Sequence, residues 1–168
     1  VGGVNRGIGE HFQRLYDAGI PIALTSEGDY GICKYDALPR AVDGSIIAWR
    51  KKHDKWGKDL DVPHQSSGVY HESVDSCFYR QMSVLPKEWD NRTWLAYFNE
   101  VDRNQSEKLA EYAIALGKKF KERGIKSMAF GWSSGDPQKS SWTSHKMAEY
   151  LRMCEAEPEW YGIAIHEY

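Results

Sequence analysis

Apolar, strand-like runs at 94–98, 127–131 and 161–165 each run into polar residues. The residues just beyond them, Glu100, Ser134 and Tyr168, stand 34 residues apart. Between the first two runs, Leu109, Tyr112, Ala113, Leu116 and Phe120 recur at three- and four-residue steps. That spacing predicts a helix over 106–123, closed by Gly124. Between the second and third, Met147, Tyr150, Leu151 and Cys154 predict a helix over 143–155, with Pro158 just beyond. A strand, a helix and a strand at this step form a βα repeat, whose natural product is a parallel sheet. Right-handed crossovers then bring every strand's C-terminal end to the same side.

The rest of the chain fits the same alternation. A helix is predicted over 8–18, with Ile8, Phe12, Leu15 and Tyr16 on one face and Gly19 as its stop. Strands are predicted over 21–25 and 45–49, the second ending at Arg50. The stretch 51–92 is rich in Lys, Asp, His and Ser, and reads as a long loop followed by a helix near 71–83. Its Lys/Asp run at 51–61 reads as a solvated face or excursion. Residues 1–168 therefore form one α/β domain, either an open doubly wound sheet or a (β/α)8 barrel. In both, function sits at the C-terminal ends of the strands. The Gly-rich start, Gly2 to Gly9, lacks the G-x-G-x-x-G spacing, and no Gly-Lys-Ser/Thr loop occurs, so this segment reads as a loop rather than a phosphate cradle.

Charge narrows the classes of function. With 22 basic and 24 acidic side chains the chain has no general drive toward nucleic acid or an anionic membrane. No run approaches the ~18 apolar residues of a membrane span. Cys33, Cys77 and Cys154 are widely spaced and form no CxxC, which argues against a disulfide framework or a structural zinc. His53, His64 and His71 match no zinc spacing either, so no metal and no cofactor is expected. The chain begins at Val1 without a Met and ends inside an apolar run, so both ends read as cut, and a targeting segment would lie outside it.

The strand ends carry Glu27, Arg50, Asn99-Glu100, Trp132-Ser133 and His166-Glu167-Tyr168. Ionisable, amide and aromatic groups gathered on one rim make a site rather than a core. Glu100 beside apolar walls would have its ionised form disfavoured and could hold a proton for a leaving oxygen. Asn99 can donate to a sugar hydroxyl and steer that acid. Trp132 and Tyr168 suit stacking on a pyranose face, or simple rim packing. His166 can bond a sugar hydroxyl or orient a carboxylate, or be a satisfied strand-end His. Arg50 can hold a carboxylate ionised, or make a surface salt bridge. Strand alternation sets Ile163, Ile165 and Glu167 opposite Ala164, His166 and Tyr168, so Glu167 is only an alternative second carboxylate.

Phe98-Asn99-Glu100 after the strand at 94–97 resembles the fourth strand of clan A glycoside hydrolases, where an Asn-Glu pair closes the strand and its Glu is the acid/base. Phe130-Gly131-Trp132-Ser133-Ser134-Gly135-Asp136-Pro137 resembles the fifth-strand segment of a group of poorly characterised barrels of this type. Ile165-His166-Glu167-Tyr168 resembles their sixth-strand His-Glu-Tyr. The resemblance implies an incomplete (β/α)8 TIM barrel, with strands two to six ending near 27, 50, 100, 134 and 168 and strands seven and eight missing. It implies hydrolysis of a β-linked oligo- or polysaccharide with retention. The clan's nucleophile closes strand seven, so it is expected beyond Tyr168, and the fragment alone is expected to be inactive or unstable. The competing expectations are a non-catalytic carbohydrate-binding barrel and an unrelated α/β enzyme acting on a phosphate ligand.

Overall fold

The computed structural model describes residues 14, 17–21, 23–27, 44–133 and 136–165. The expected Gly-rich loop, Ser134, and the His166-Glu167-Tyr168 end all lie outside them. Of the expected first helix, Arg14, Asp17 and Ala18 are described, the first two helical and Ala18 in a turn.

Five strands form one parallel sheet. They are β1 (Ala23–Glu27), β2 (Ile46–Arg50), β5 (Trp94–Tyr97), β6 (Lys126–Trp132) and β7 (Tyr161–Ile165). The excursion between β2 and β5 holds a small antiparallel hairpin, β3 (Gln65–Ser66) with β4 (Val69–Tyr70), which sequence reading had not anticipated. It also holds helix α1 (Val74–Met82), near the expected 71–83 and capped by Ser73, whose hydroxyl accepts from the Ser76 N–H at 3.1 Å. Helix α2 (Ser106–Glu122) links β5 to β6. The short α3 (Lys139–Trp142) and then α4 (His145–Ala156) link β6 to β7.

The sheet order is the chain order, β1-β2-β5-β6-β7. A doubly wound sheet reverses direction at a switch point. No reversal occurs among these five strands, and α1, α2 and α4 pack in succession. The helix-covered face is the large core. Leu109, Ala113, Leu116 and Phe120 of α2 are fully buried against Ile47, Trp49, Leu95, Tyr97 and Ala129 of the sheet. Each Leu or Phe so buried contributes about 1.5–3 kcal/mol. Gly117 permits the closest approach: a Cβ there would lie 3.2 Å from Met153 Cε and 3.3 Å from Tyr161. Two buried phenols tie the layers together, Tyr97 donating to Ala113 O at 3.1 Å and Tyr150 to Gly162 O at 2.8 Å. The other face of the sheet carries a smaller cluster of Ala48, Trp94, Ala96 and Met128 with Ala164 beside it.

β6 departs from simple alternation. Its register with β7 shifts between Ala129 and Trp132, where Phe130 has φ +90° and Gly131 φ +48°. Period-two alternation from Met128 would place Phe130 and Trp132 on the small-cluster face. The irregularity turns both into the helix-side core beside Ala129, with their rings stacked at 5.1 Å. Phe98, after β5, does the same with φ +57° and packs 5.0 Å from Tyr97.

Candidate functional site

At the C-terminal ends of the strands lies a shallow open concavity on the small-cluster face. Thr25 of β1, Arg50 of β2, Ala96 and Asn99 at the end of β5, Gly131 of β6 and Ala164 of β7 line it. The parallel register carries neighbouring strands toward this end: Glu27 pairs with Arg50 at the Cα level, Trp49 with Leu95, and Tyr97 with Ala129. Arg50 and Asn99, named from the sequence as binding residues, therefore reach one concavity.

The end of β5 is built from unusual backbone. Phe98 (φ +57°) and Glu100 (φ +49°) both sit in the left-handed region, and Phe130 on the neighbouring strand joins them. For residues other than Gly this costs of order 1–3 kcal/mol each and is tolerated where surrounding contacts over-determine it. The contacts are visible. Glu100 N–H donates to Gly131 O at 3.1 Å, and Asn99 N–H donates to Asp61 O at 3.2 Å. Gly131 is required twice over: its φ is +48°, and a Cβ would fall 2.7 Å from Asn99 Oδ1. The Asn99 side chain thus lies directly over the Gly131 backbone.

Asp61 joins the strand ends. Arg50 Nη1 donates to both of its carboxylate oxygens, at 3.4 and 3.5 Å, while the Asp61 carbonyl holds Asn99. Both side chains of this pair are largely buried. Of the two roles expected of Arg50, holding a catalytic carboxylate or making a salt bridge, the described residues show a salt bridge, to Asp61. Nothing in the spacing of Asp61 singles it out. Gly131 left a trace, since an isolated Gly inside a strand signals a bulge or a close backbone approach.

Two expectations are corrected. Trp132 is 0% exposed and its Nε1 has no hydrogen-bond partner among the described residues. It offers no ring face to a sugar, because the β6 irregularity turned it into the core. Glu100 is exposed, so the apolar walls expected around its carboxyl are not formed by the described residues. His166, Tyr168 and the alternative carboxylate Glu167 lie outside the described residues. In the preceding strand β7, Ile163 packs on the helix-side core and Ala164 on the opposite cluster, whereas Ile165, expected beside Ile163, is 49% exposed.

A second polar cluster, unforeseen from the sequence, anchors the excursion behind the site. Arg80 of α1, 5% exposed, donates from Nε and Nη2 to the two Glu72 carboxylate oxygens, both at 2.7 Å. Its Nη1 donates to Asp59 O at 2.7 Å and lies 3.7 Å from buried Asp54. Glu72 also accepts from the His64 N–H at 2.9 Å and the Ser76 hydroxyl at 2.7 Å. The Tyr112 hydroxyl donates to Glu72 O, and Gln81 Nε2 to Leu60 O. Burial pushes the Glu72 carboxyl up, but the Arg80, His64 and Ser76 hydrogen bonds and the Arg80 charge together outweigh it, leaving it at about 2. Next to it, burial and the Glu72 charge push the Cys77 thiol up to about 12. Cys77 and Cys154 are free thiols. Among the described residues no His, Cys, Asp and Glu cluster is placed to hold a metal ion, and no helix is long and apolar enough to cross a membrane.

Compared with known proteins, the chain matches no family model, no curated protein and no solved structure.

Proposed function

We propose that this chain is an arc of a (β/α)8 barrel belonging to a glycoside hydrolase that cleaves β-linked oligo- or polysaccharide with retention. One observation carries the reading. Adjacent parallel strands in chain order end together, so Arg50 and Asn99 line one concavity, and Glu100 follows Asn99 directly, with left-handed backbone at Phe98 and Glu100. Monotonic order with the helices in succession is what a segment of a singly wound barrel gives, and such barrels keep their sites at this end.

In this mechanism Glu100 gives its proton to the departing glycosidic oxygen while a carboxylate from the strand after Tyr168 attacks the anomeric carbon. Water then cleaves the glycosyl-enzyme, with Glu100 taking the proton as base. Asn99 holds a sugar hydroxyl, and Arg50 keeps neighbouring carboxylates ionised. Substrate itself, or the missing strands, would supply the cover that exposed Glu100 lacks.

The exposure of Glu100 favours a second reading, a carbohydrate-binding barrel without turnover. One experiment separates them. In the protein that supplies the seventh strand, Glu100→Gln should lower hydrolysis of a natural β-linked polysaccharide by about 10²–10⁴-fold, the usual worth of a general acid. Oligosaccharide binding, followed by calorimetry, should persist. An unchanged rate rejects Glu100 as the acid; binding with no turnover in the parent protein selects the second reading.

A further inference from the structure

Residues 51–60 form a hairpin that leaves the rim and returns to it. Its feet are Arg50 and Asp61, the ion pair at the strand ends. Leu60 N–H donates to Lys52 O at 2.8 Å, His53 pairs with Asp59 across the hairpin, and Asp54 N–H donates to Lys58 O at 2.8 Å. The tip is a tight turn. Gly57 N–H donates to Asp54 O, and Gly57 takes φ +79°. The Asp54 carboxylate accepts from the Trp56 and Lys58 N–H groups at 2.8 and 2.9 Å, and its own side chain is fully buried beside Arg80. The tip is therefore clamped from beneath by the Arg80 cluster, and its shape is built into the fold.

What this tip presents is unusual for a protein of net charge −2. Trp56 is 64% exposed, with Lys55 Nζ 4.4 Å above its ring. Lys51, Lys52 and Lys58 complete a set of four ammonium groups, none of them in an ion pair among the described residues. Of the two carboxylates on the hairpin, Asp54 faces Arg80, which leaves Asp59 alone against the four lysines. An exposed indole is an apolar plane that stacks on the C–H face of a sugar ring, and the four ammonium groups along the hairpin, with Lys55 over the ring itself, select negative charge.

We propose that this hairpin is an outer subsite for an anionic polysaccharide, one whose sugars carry carboxylate or sulfate groups. Trp56 stacks on one sugar ring, and Lys55 and Lys58 pair with the acidic substituents. The inference rests on the glycosidase reading and narrows its substrate class. An extended hairpin arm of five residues reaches up to about 17 Å from its foot, so the subsite engages the polymer away from Glu100. Short substrates should not feel it.

The test measures binding of four probes by calorimetry: an oligogalacturonide, a sulfated oligosaccharide, a neutral cello-oligosaccharide and a single-stranded DNA. They are compared in the protein that supplies the seventh strand and in its Trp56→Ala and Lys55→Ala/Lys58→Ala variants, all exposed positions whose replacement leaves the core intact. At least one anionic glycan should bind more tightly than the neutral one, and the probe that does identifies the acidic group. Trp56→Ala should weaken it about tenfold. The lysine pair should weaken it about fivefold at low salt, with the gap closing at high salt. Equal binding of neutral and acidic glycans, unaffected by either variant, overturns the subsite and leaves the glycosidase reading standing. Binding of no glycan overturns both. Tightest binding of the DNA, lost in both variants, overturns the subsite in favour of a nucleic-acid surface.

Discussion

Glu72→Gln tests whether the Arg80 cluster holds the excursion through charge. The folded carboxyl sits at about 2 against an ordinary 4.5. At 1.36 kcal/mol per pKa unit, that difference amounts to roughly 3 kcal/mol of stability. The sign follows from the direction of the shift. Because the folded value is depressed, the contribution is fully present above about pH 4.5 and is lost as pH falls toward 2. The Glu72 side chain is only 2% exposed, so solvent screens the pair little. The Gln variant keeps the shape and some hydrogen bonds but leaves the buried Arg80 guanidinium with only Asp54, 3.7 Å away, as counter-charge. Breaking one side of such a pair costs about 3–5 kcal/mol. Urea unfolding of the parent chain and Glu72→Gln, run from pH 7 down to pH 2, reads the effect directly. The two stabilities should differ by roughly 3 kcal/mol at pH 7 and converge toward pH 2. A gap that stays constant over that range would refute the coupling, because a constant gap means the lost contact was packing and not charge.

Two further substitutions test particular contacts. Gly131→Ala should cost about 1–2 kcal/mol through its left-handed backbone alone, and should displace Asn99, whose Oδ1 lies where the new Cβ would go. A melting curve checks the first effect and a crystal structure of the variant the second. Trp132→Ala should destabilise by about 3–5 kcal/mol, as a core residue does, while binding of oligosaccharide to the fraction that remains folded should not change. Loss of sugar affinity at unchanged stability would mean that the ring reaches the rim after all. The subsite test at Trp56 and the acid test at Glu100 complete the set.

Much of the framework was legible in the chain. The 34-residue step and the two helical periodicities carry enough information to give parallel strands at 94–97, 126–132 and 161–165 joined by helices on one side, because hydrophobic period and crossover handedness act locally or pairwise. Polar residues after those runs pointed to the strand ends, and Arg50 and Asn99 do line one concavity. Other features could not be read that way. Whether Trp132 faces a ligand or the core turns on the φ of Phe130, and a Phe has no intrinsic reason to be left-handed; the packing of neighbouring strands imposes it. Asp61 meets Arg50 and Asn99, and Arg80 meets Glu72 and Asp54, across separations that carry no period. Their partners are chosen only when the excursion folds back onto α1 and the sheet. Local sequence thus decided which segments are strand or helix and in what order they run. The tertiary structure decided which way the strand-end side chains turn, because a single non-alternating residue reverses the face of everything after it.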